Sequence, residues 1–243
     1  MIKDIINKLD SELPATVRLV AVSKFHPFES IVEAYEAGQR IFAESRPQEL
    51  IAKVKRLEEM RALKIEQAYA KDGDIEAAKA YMSDVQWHFI GHLQTNKLKM
   101  VLPYADLIQS VDSVRLLDAI QAWGLANDKT ISVLLEPHVA AEESKQGFAA
   151  DEIYSVLENS SSYSHIRFCG IMGMATFTDD QNVVASDFAA LRTIYDLCLT
   201  RFPHLSPYFT ELSIGMSDDY PMAIKYGSTM IRIGSMIFGE RKY

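Results

Sequence analysis

Two patterns of hydrophobic and polar residues alternate along the chain. Short apolar runs rich in β-branched residues and bounded by turn residues predict strands. Apolar residues spaced three and four apart predict helices between them. The predicted strands lie at residues 17–23, 40–43, 86–90, 107–110, 131–136, 166–172, 209–213 and 230–233, and the predicted helices at about 3–12, 28–37, 47–60, 113–123, 150–159 and 181–201. Residues 61–85, with a turn at 71–74, are expected to add helix and not a separate domain.

This alternation predicts one closed α/β domain. Strands that alternate with helices build right-handed βαβ units and a parallel sheet. Eight such units in 243 residues fit a (β/α)8 TIM barrel, which typically needs about 250 residues. We therefore expect a single barrel domain over residues 1–243 with an extra N-terminal helix. A doubly wound open sheet is the alternative, but no Gly-x-Gly-x-x-Gly turn follows the first predicted strand.

Charge and composition exclude several classes of function. The net charge of −8 argues against a nucleic-acid-binding protein, because a phosphate backbone requires a basic surface. No apolar run approaches the length of a membrane span, and the N-terminus lacks the features of a signal peptide. The two cysteines, Cys169 and Cys198, lie within apolar patterns. They are typical of buried thiols in a reducing compartment, which predicts a cytoplasmic protein.

The first predicted strand ends at a lysine. An apolar run delivers Lys24 to its C-terminal end, and Pro27 follows three residues later. In such barrels the functional site lies at the C-terminal ends of the strands. A lysine that is partly desolvated there has a lowered pKa and a nucleophilic amine that attacks carbonyl groups. On these residues alone, a lysine that merely reaches solvent from a strand end is the simpler interpretation.

The loops after the last two predicted strands suggest a phosphate site. Each places a hydroxyl beside a glycine: Ser217 lies close to Gly215, and Ser235 follows Gly234. Backbone N–H groups beside glycine are accessible to a phosphate. The simpler alternatives are that Ser217 caps the helix that starts there, and that residues 234 and 235 only form a turn.

Closure of the barrel would bring these pieces together. The eighth strand pairs with the first, which brings Arg232 and the loop after it next to Lys24. An amine nucleophile, a fixed cation and a phosphate site suit an aldehyde that also carries a phosphate. Pyridoxal 5′-phosphate is the obvious candidate, because its aldehyde forms a Schiff base with lysine.

Several longer motifs make the sequence similar to a known family. They are residues 21–24 (AVSK), 87–91 (WHFIG), 93–97 (LQTNK), 144–147 (SKQG), 212–219 (LSIGMSDD), 232–234 (RIG) and 237–239 (IFG). With these motifs the chain resembles, over essentially its whole length, the pyridoxal phosphate homeostasis protein family. That resemblance implies a single-domain barrel like the N-terminal domain of alanine racemase, with pyridoxal 5′-phosphate as cofactor.

The resemblance also implies roles for individual residues. Lys24 would be the Schiff-base lysine, and Arg232 would face the pyridine nitrogen. The full set of cofactor-binding residues that it implies is Lys24, Ser45, Met172, Ser213, Met216, Ser217, Arg232, Gly234 and Ser235. One departure concerns residues 43–46 (AESR), where many members of the family read GENY, so the contact expected from an asparagine falls to Ser45. Another is His92, which stands where proline is common.

Other candidate residues have two interpretations each. His88 alternates with two aromatic neighbours and is either a buried, hydrogen-bonded histidine or a neighbour of the cofactor. Lys97 and Lys145 either attract the anionic cofactor or are solvated surface charges. Neither His26 nor His138 has a companion at metal-ligand spacing, so no metal site is expected.

We expect a cofactor carrier and not an enzyme. A racemase needs a second acid or base on the ring face opposite the lysine, and in alanine racemases a further β domain of the partner subunit supplies it. Only ten residues follow Ile233 here, too few for such a domain. A pyridoxal-phosphate-dependent racemase or decarboxylase is the alternative, and a cofactor-free Schiff-base aldolase is a third. The carrier is expected to be a monomer that passes its cofactor to apoenzymes.

Overall fold

The protein is a closed barrel of eight parallel strands surrounded by helices. The computed structural model describes residues 1–139 and 147–240. The strands neighbour one another in chain order, and the last pairs with the first. They are β1 (Arg18–Val22), β2 (Ile41–Glu44), β3 (Gln86–Phe89), β4 (Leu107–Val111), β5 (Ile131–Leu135), β6 (Ile166–Met172), β7 (Glu211–Ser213) and β8 (Met230–Ile233). The predicted (β/α)8 barrel is confirmed.

The helices form the outer layer, and the first of them is the predicted extra N-terminal helix. They are α1 (Ile2–Glu12), α2 (Phe28–Glu36), α3 (Pro47–Ala70), α4 (Ile75–Ala80), α5 (Leu98–Val101), α6 (Val114–Asn127), α7 (Ala150–Glu158), α8 (Gln181–Arg201), α9 (Tyr220–Lys225) and α10 (Ser235–Phe238). Helix α1 buries Ile2, Ile6 and Leu9 and contacts α2 and α10. Within the described residues, no helix is both long and apolar enough to cross a membrane.

Helix α3 is longer than its hydrophobic pattern predicts. The pattern ends near Met60, but the helix continues to Ala70. Its buried residues all lie in the first half, between Leu50 and Leu57. The second half is composed mainly of strong helix formers, and no glycine or proline stops it before Gly73. The turn predicted at residues 71–74 is present, and Asp74 caps α4 by accepting a hydrogen bond from the backbone N–H of Ala77.

Two separate apolar cores hold the barrel together. The larger one fills the space between the strands and the helices. The smaller one lies in the barrel lumen, where alternate residues of the strands point inward. Its members are Val20, Val22, Ile41, Ala43, Leu107, Leu134, Met172 and Met230. Polar residues take the remaining lumen positions, and they lead to the candidate site.

The pairing of β1 with β8 closes the barrel. Val20 lies opposite Arg232, and Ala21 lies opposite Ile233. At Gly234, the residue after Ile233, the backbone lies so close to β1 that a Cβ atom would be 3.1 Å from the carbonyl oxygen of Val22. Glycine at this position therefore lets the loop after β8 lie directly against the end of β1.

Candidate functional site

Lys24 follows β1 at the C-terminal rim of the barrel and is partly exposed. It continues the alternation of Val20 and Val22, which belong to the lumen core. The next residue, Phe25, has a φ of 67°, in the left-handed region that phenylalanine seldom adopts. The chain therefore turns sharply immediately after the lysine.

Arg232 is the buried cation of the site. Its side chain is 4% exposed. The guanidinium donates from Nη1 to the carbonyl and hydroxyl oxygens of Ser213, both at 2.7 Å, and from Nη2 to the carbonyl of Gly173 at 2.9 Å. Burial lowers the pKa of Arg232 to about 10, while Glu136 and Asp219 act in the opposite direction. The group stays positively charged at neutral pH, and its hydrogen bonds fix its orientation.

A chain of hydrogen bonds runs from Arg232 into the lumen. The Ser213 hydroxyl donates to Oε1 of Gln109 at 2.8 Å, and Nε2 of Gln109 lies 2.9 Å from Nδ1 of His88. Burial, aided by the charge of Arg18, lowers the pKa of His88 to about 3. A neutral His88 that accepts at Nδ1 fixes the direction of the Gln109 amide and of the Ser213 hydroxyl. Of the two interpretations of His88, the structure thus shows the buried, hydrogen-bonded histidine.

The loops after β7 and β8 meet at two hydroxyl groups. Oγ of Ser235 lies 3.2 Å from Oγ of Ser217. The alternative interpretation, in which Ser217 caps the following helix, is wrong. Helix α9 begins at Tyr220, its N-cap is Asp219, and the Asp219 carboxylate accepts from the backbone N–H of Met216. The Ser217 hydroxyl therefore faces the other loop and not the helix.

The remaining predicted site residues that the structure describes lie around the same rim or below it. Ser45 follows β2 and is partly buried. Its backbone lies so close to Gly91 that residue 91 has no room for a side chain. Met172 belongs to the lumen core, whereas Met216 is 37% exposed. Lys97 lies in a short 3-10 turn after β3. Lys145 lies outside the described residues.

The donor set suits an anionic, aromatic aldehyde. Lys24 offers an amine, Arg232 an oriented cation, and the two serines a pair of hydroxyls of the kind that bind phosphate. Gly234 keeps the space beside β1 that a Cβ would occupy. Within residues 1–139 and 147–240, no three His, Cys, Asp or Glu side chains are grouped to hold a metal ion. These residues fit pyridoxal 5′-phosphate.

Comparison with known proteins first defines the class. The family model described as "Alanine racemase, N-terminal domain" matches residues 2–242. A solved alanine racemase from E. faecalis is 16% identical, with a TM-score of 0.67 over 97% of this chain and 57% of that chain. At this identity the likeness concerns the fold alone. The class is therefore the barrel of the alanine racemase N-terminal domain.

More similar relatives define the family. The pyridoxal phosphate homeostasis protein of Haemophilus influenzae is 32% identical over 228 residues, 94% of this chain and 86% of the relative. The one of Bos taurus is 36% identical over 241 residues, 96% of this chain and 80% of the relative. PipY of Synechococcus elongatus PCC7942, solved with PLP bound, is 31% identical with a TM-score of 0.82, over 98% of this chain and 100% of that one. The chain belongs to the pyridoxal phosphate homeostasis protein family.

Sequence reasoning missed three polar residues near the site. Gln109 is the middle residue of the hydrogen-bond chain in the lumen. Glu44 and Lys53 form a buried ion pair beside Ser23, the residue before Lys24. The only signal for Gln109 was a polar residue in an apolar strand. Glu44 and Lys53 gave no signal that separated them from surface charges.

Proposed function

We propose that residues 1–243 form a single domain that binds pyridoxal 5′-phosphate and serves in its homeostasis, holding the cofactor on Lys24. The observation that carries the proposal is the closure of β1 on β8. It joins the strand that ends at Lys24 to the strand that carries Arg232 and leads to Ser235. The family and the PLP-bound PipY structure support the same cofactor.

Each residue has a distinct task in this proposal. Nζ of Lys24 would hold the cofactor, which when bound would supply an aldehyde group that condenses with an amine and releases water. Arg232 binds the pyridine nitrogen, and Ser213 orients Arg232 through the hydrogen bonds described above. Ser217, Gly234 and Ser235 bind the phosphate. Ser45, Met172 and Met216 lie beside the ring.

The same residues favour binding of the cofactor over catalysis with it. A charged Arg232 at the pyridine nitrogen disfavours protonation of that nitrogen, which makes the ring a weak electron sink. We therefore propose a carrier that supplies apoenzymes and acts as a monomer. A cytoplasmic location is supported by the two cysteines, which form no disulfide. Burial raises the pKa of Cys198 to about 12 and so keeps it an unreactive thiol.

Reduction with borohydride tests the proposal directly. Protein loaded with pyridoxal 5′-phosphate is reduced, digested and mapped by mass spectrometry, with Lys24→Ala and Lys97→Ala as matched variants. The adduct is expected on Lys24, to be lost in Lys24→Ala and to be retained in Lys97→Ala. An adduct only on Lys97 or Lys145 would contradict the assignment. Steady production of a D-amino acid that depends on Lys24 would show that the protein is a racemase and not a carrier.

A further inference from the structure

The backbone just before Lys24 is held by a buried ion pair. Nζ of Lys53, on α3, donates to the carbonyl oxygen of Ser23 at 2.7 Å and to Oε1 of Glu44 at 2.6 Å. The Ser23 hydroxyl donates to the same Glu44 oxygen at 2.6 Å. Glu44 is fully buried, and the Lys53 side chain is 8% exposed. Two of these hydrogen bonds fix Ser23, the residue that precedes Lys24, and the third joins their partners, Lys53 and Glu44.

The backbone just after Lys24 is held by the same helix. The N–H of Phe25 donates to Oε2 of Glu49 at 2.7 Å, and the Arg46 guanidinium lies 4.3 Å from the centre of the Phe25 ring. Glu49 and Lys53 are one helical turn apart, with their charged groups 4.0 Å from each other. A left-handed non-glycine residue persists only where its surroundings hold it. Here those surroundings include the side chains of Glu49 on α3 and of Arg46, the residue just before α3.

We call Glu44, Glu49 and Lys53 the α3 clamp, since Glu49 and Lys53 lie on α3 and Glu44, on β2, is bound by Lys53. A buried ion pair is a weak source of stability, because desolvation of both charges offsets their attraction. The pair here is also incomplete: Oε2 of Glu44 is buried and has no hydrogen-bond partner among the described residues. What the clamp does supply is two fixed peptide groups, one on each side of Lys24.

We propose that the α3 clamp positions Lys24, setting the direction from which its amine meets the aldehyde of pyridoxal 5′-phosphate. This inference rests on the proposed function. The clamp residues are positioning residues that act on Lys24 through the backbone. A displacement on the order of 1 Å of a reacting group lowers its rate by about 100-fold, so loss of a clamp contact should slow bond formation.

The contribution of the clamp is separable from cofactor affinity. Pyridoxine 5′-phosphate carries the same ring and phosphate but has an alcohol in place of the aldehyde, so it forms no bond to lysine. Its dissociation constant reports on the phosphate and ring contacts alone. The rate at which the visible Schiff-base absorbance appears, on mixing pyridoxal 5′-phosphate with cofactor-free protein, reports on the Lys24 amine.

The variants are Glu49→Met, which removes the acceptor for the Phe25 N–H, Lys53→Met and, as a conservative rescue, Lys53→Arg. Glu49 is partly exposed, so Glu49→Met keeps the test valid even where Lys53→Met does not fold. The matched control is Glu76→Met, which breaks an exposed pair with Lys79 on α4. We expect Glu49→Met to slow bond formation by about tenfold or more while pyridoxine 5′-phosphate affinity and the control stay unchanged. Lys53→Arg should be closer to wild type than Lys53→Met.

Two results would overturn the inference. One is a wild-type rate in Glu49→Met. The other is an equal loss of rate and of pyridoxine 5′-phosphate affinity, which would show a general structural effect. A failure of the proposed function itself looks different, because then the wild-type protein gives no borohydride adduct on Lys24.

Discussion

Replacing His88 by glutamine is expected to remove a pH dependence from the stability of the barrel. The folded barrel lowers the pKa of His88 from 6.5 to about 3, chiefly by burial. Between these two values the unfolded chain binds a proton at this residue and the folded chain does not. The stability that comes from a neutral His88 is therefore complete above about pH 6.5, and it is lost as the pH falls toward about 3.

The size of this loss follows from the two pKa values. Each pH unit within the window costs about 1.4 kcal/mol. At about pH 5 the unfolded histidine is almost fully protonated and the folded one almost fully neutral. The free energy of unfolding should then be about 2 kcal/mol lower than at about pH 7 on account of His88 alone.

Urea unfolding at about pH 7 and about pH 5 measures the effect. Glutamine can still accept the hydrogen bond from Gln109 but does not titrate. His88→Gln should therefore lose about 2 kcal/mol less than the wild type over this interval, whatever its stability at neutral pH. The control is His204→Gln, which replaces an exposed histidine and should follow the wild type. If His88→Gln and the wild type lose the same free energy, His88 is not kept neutral by the fold.

Further outcomes follow from the two loops proposed to bind phosphate and from the ion pair of Glu44 and Lys53. Ser217→Ala and Ser235→Ala should each weaken pyridoxal 5′-phosphate binding by about 1.5 kcal/mol or more. Pyridoxal binding should change far less, and equal losses for both ligands in equilibrium titrations would refute a phosphate role. Lys53→Met should lower the free energy of unfolding by about 3–5 kcal/mol, because it leaves the Glu44 carboxylate buried without its cation. Lys79→Met should show no measurable change in the same urea titration, and a comparable loss there would contradict the argument.

The sequence was sufficient for the order of elements because that information is local. Periods of two and of 3.6 residues separate strands from helices within a few residues, so all eight strands were predicted. Where one residue suited two interpretations, the pattern could not decide between them. Ser217 suits both a helix N-cap and a phosphate loop, and only the packed loop shows that α9 begins at Tyr220, three residues later.

The polar interior could not be predicted, because its contacts join distant parts of the chain. Ser213 and Gln109 are 104 residues apart, and Gln109 and His88 are 21 apart. Which polar residues meet in the lumen depends on the register of every strand between them. The same holds for Lys53, whose charge points into the barrel wall from a helix that otherwise presents many charges to solvent.

The closure of β1 on β8 also determines how late in synthesis the candidate site can be completed. Lys24 follows the first strand of the barrel to be synthesised, whereas Arg232 lies on the eighth strand and Ser235 follows it. Until β8 emerges, β1 has an open edge on one side, and Lys24 has neither Arg232 nor the loop after β8 beside it. Under the proposed function, a nascent chain therefore carries the lysine long before it can hold the cofactor, and the site is complete only when the barrel closes.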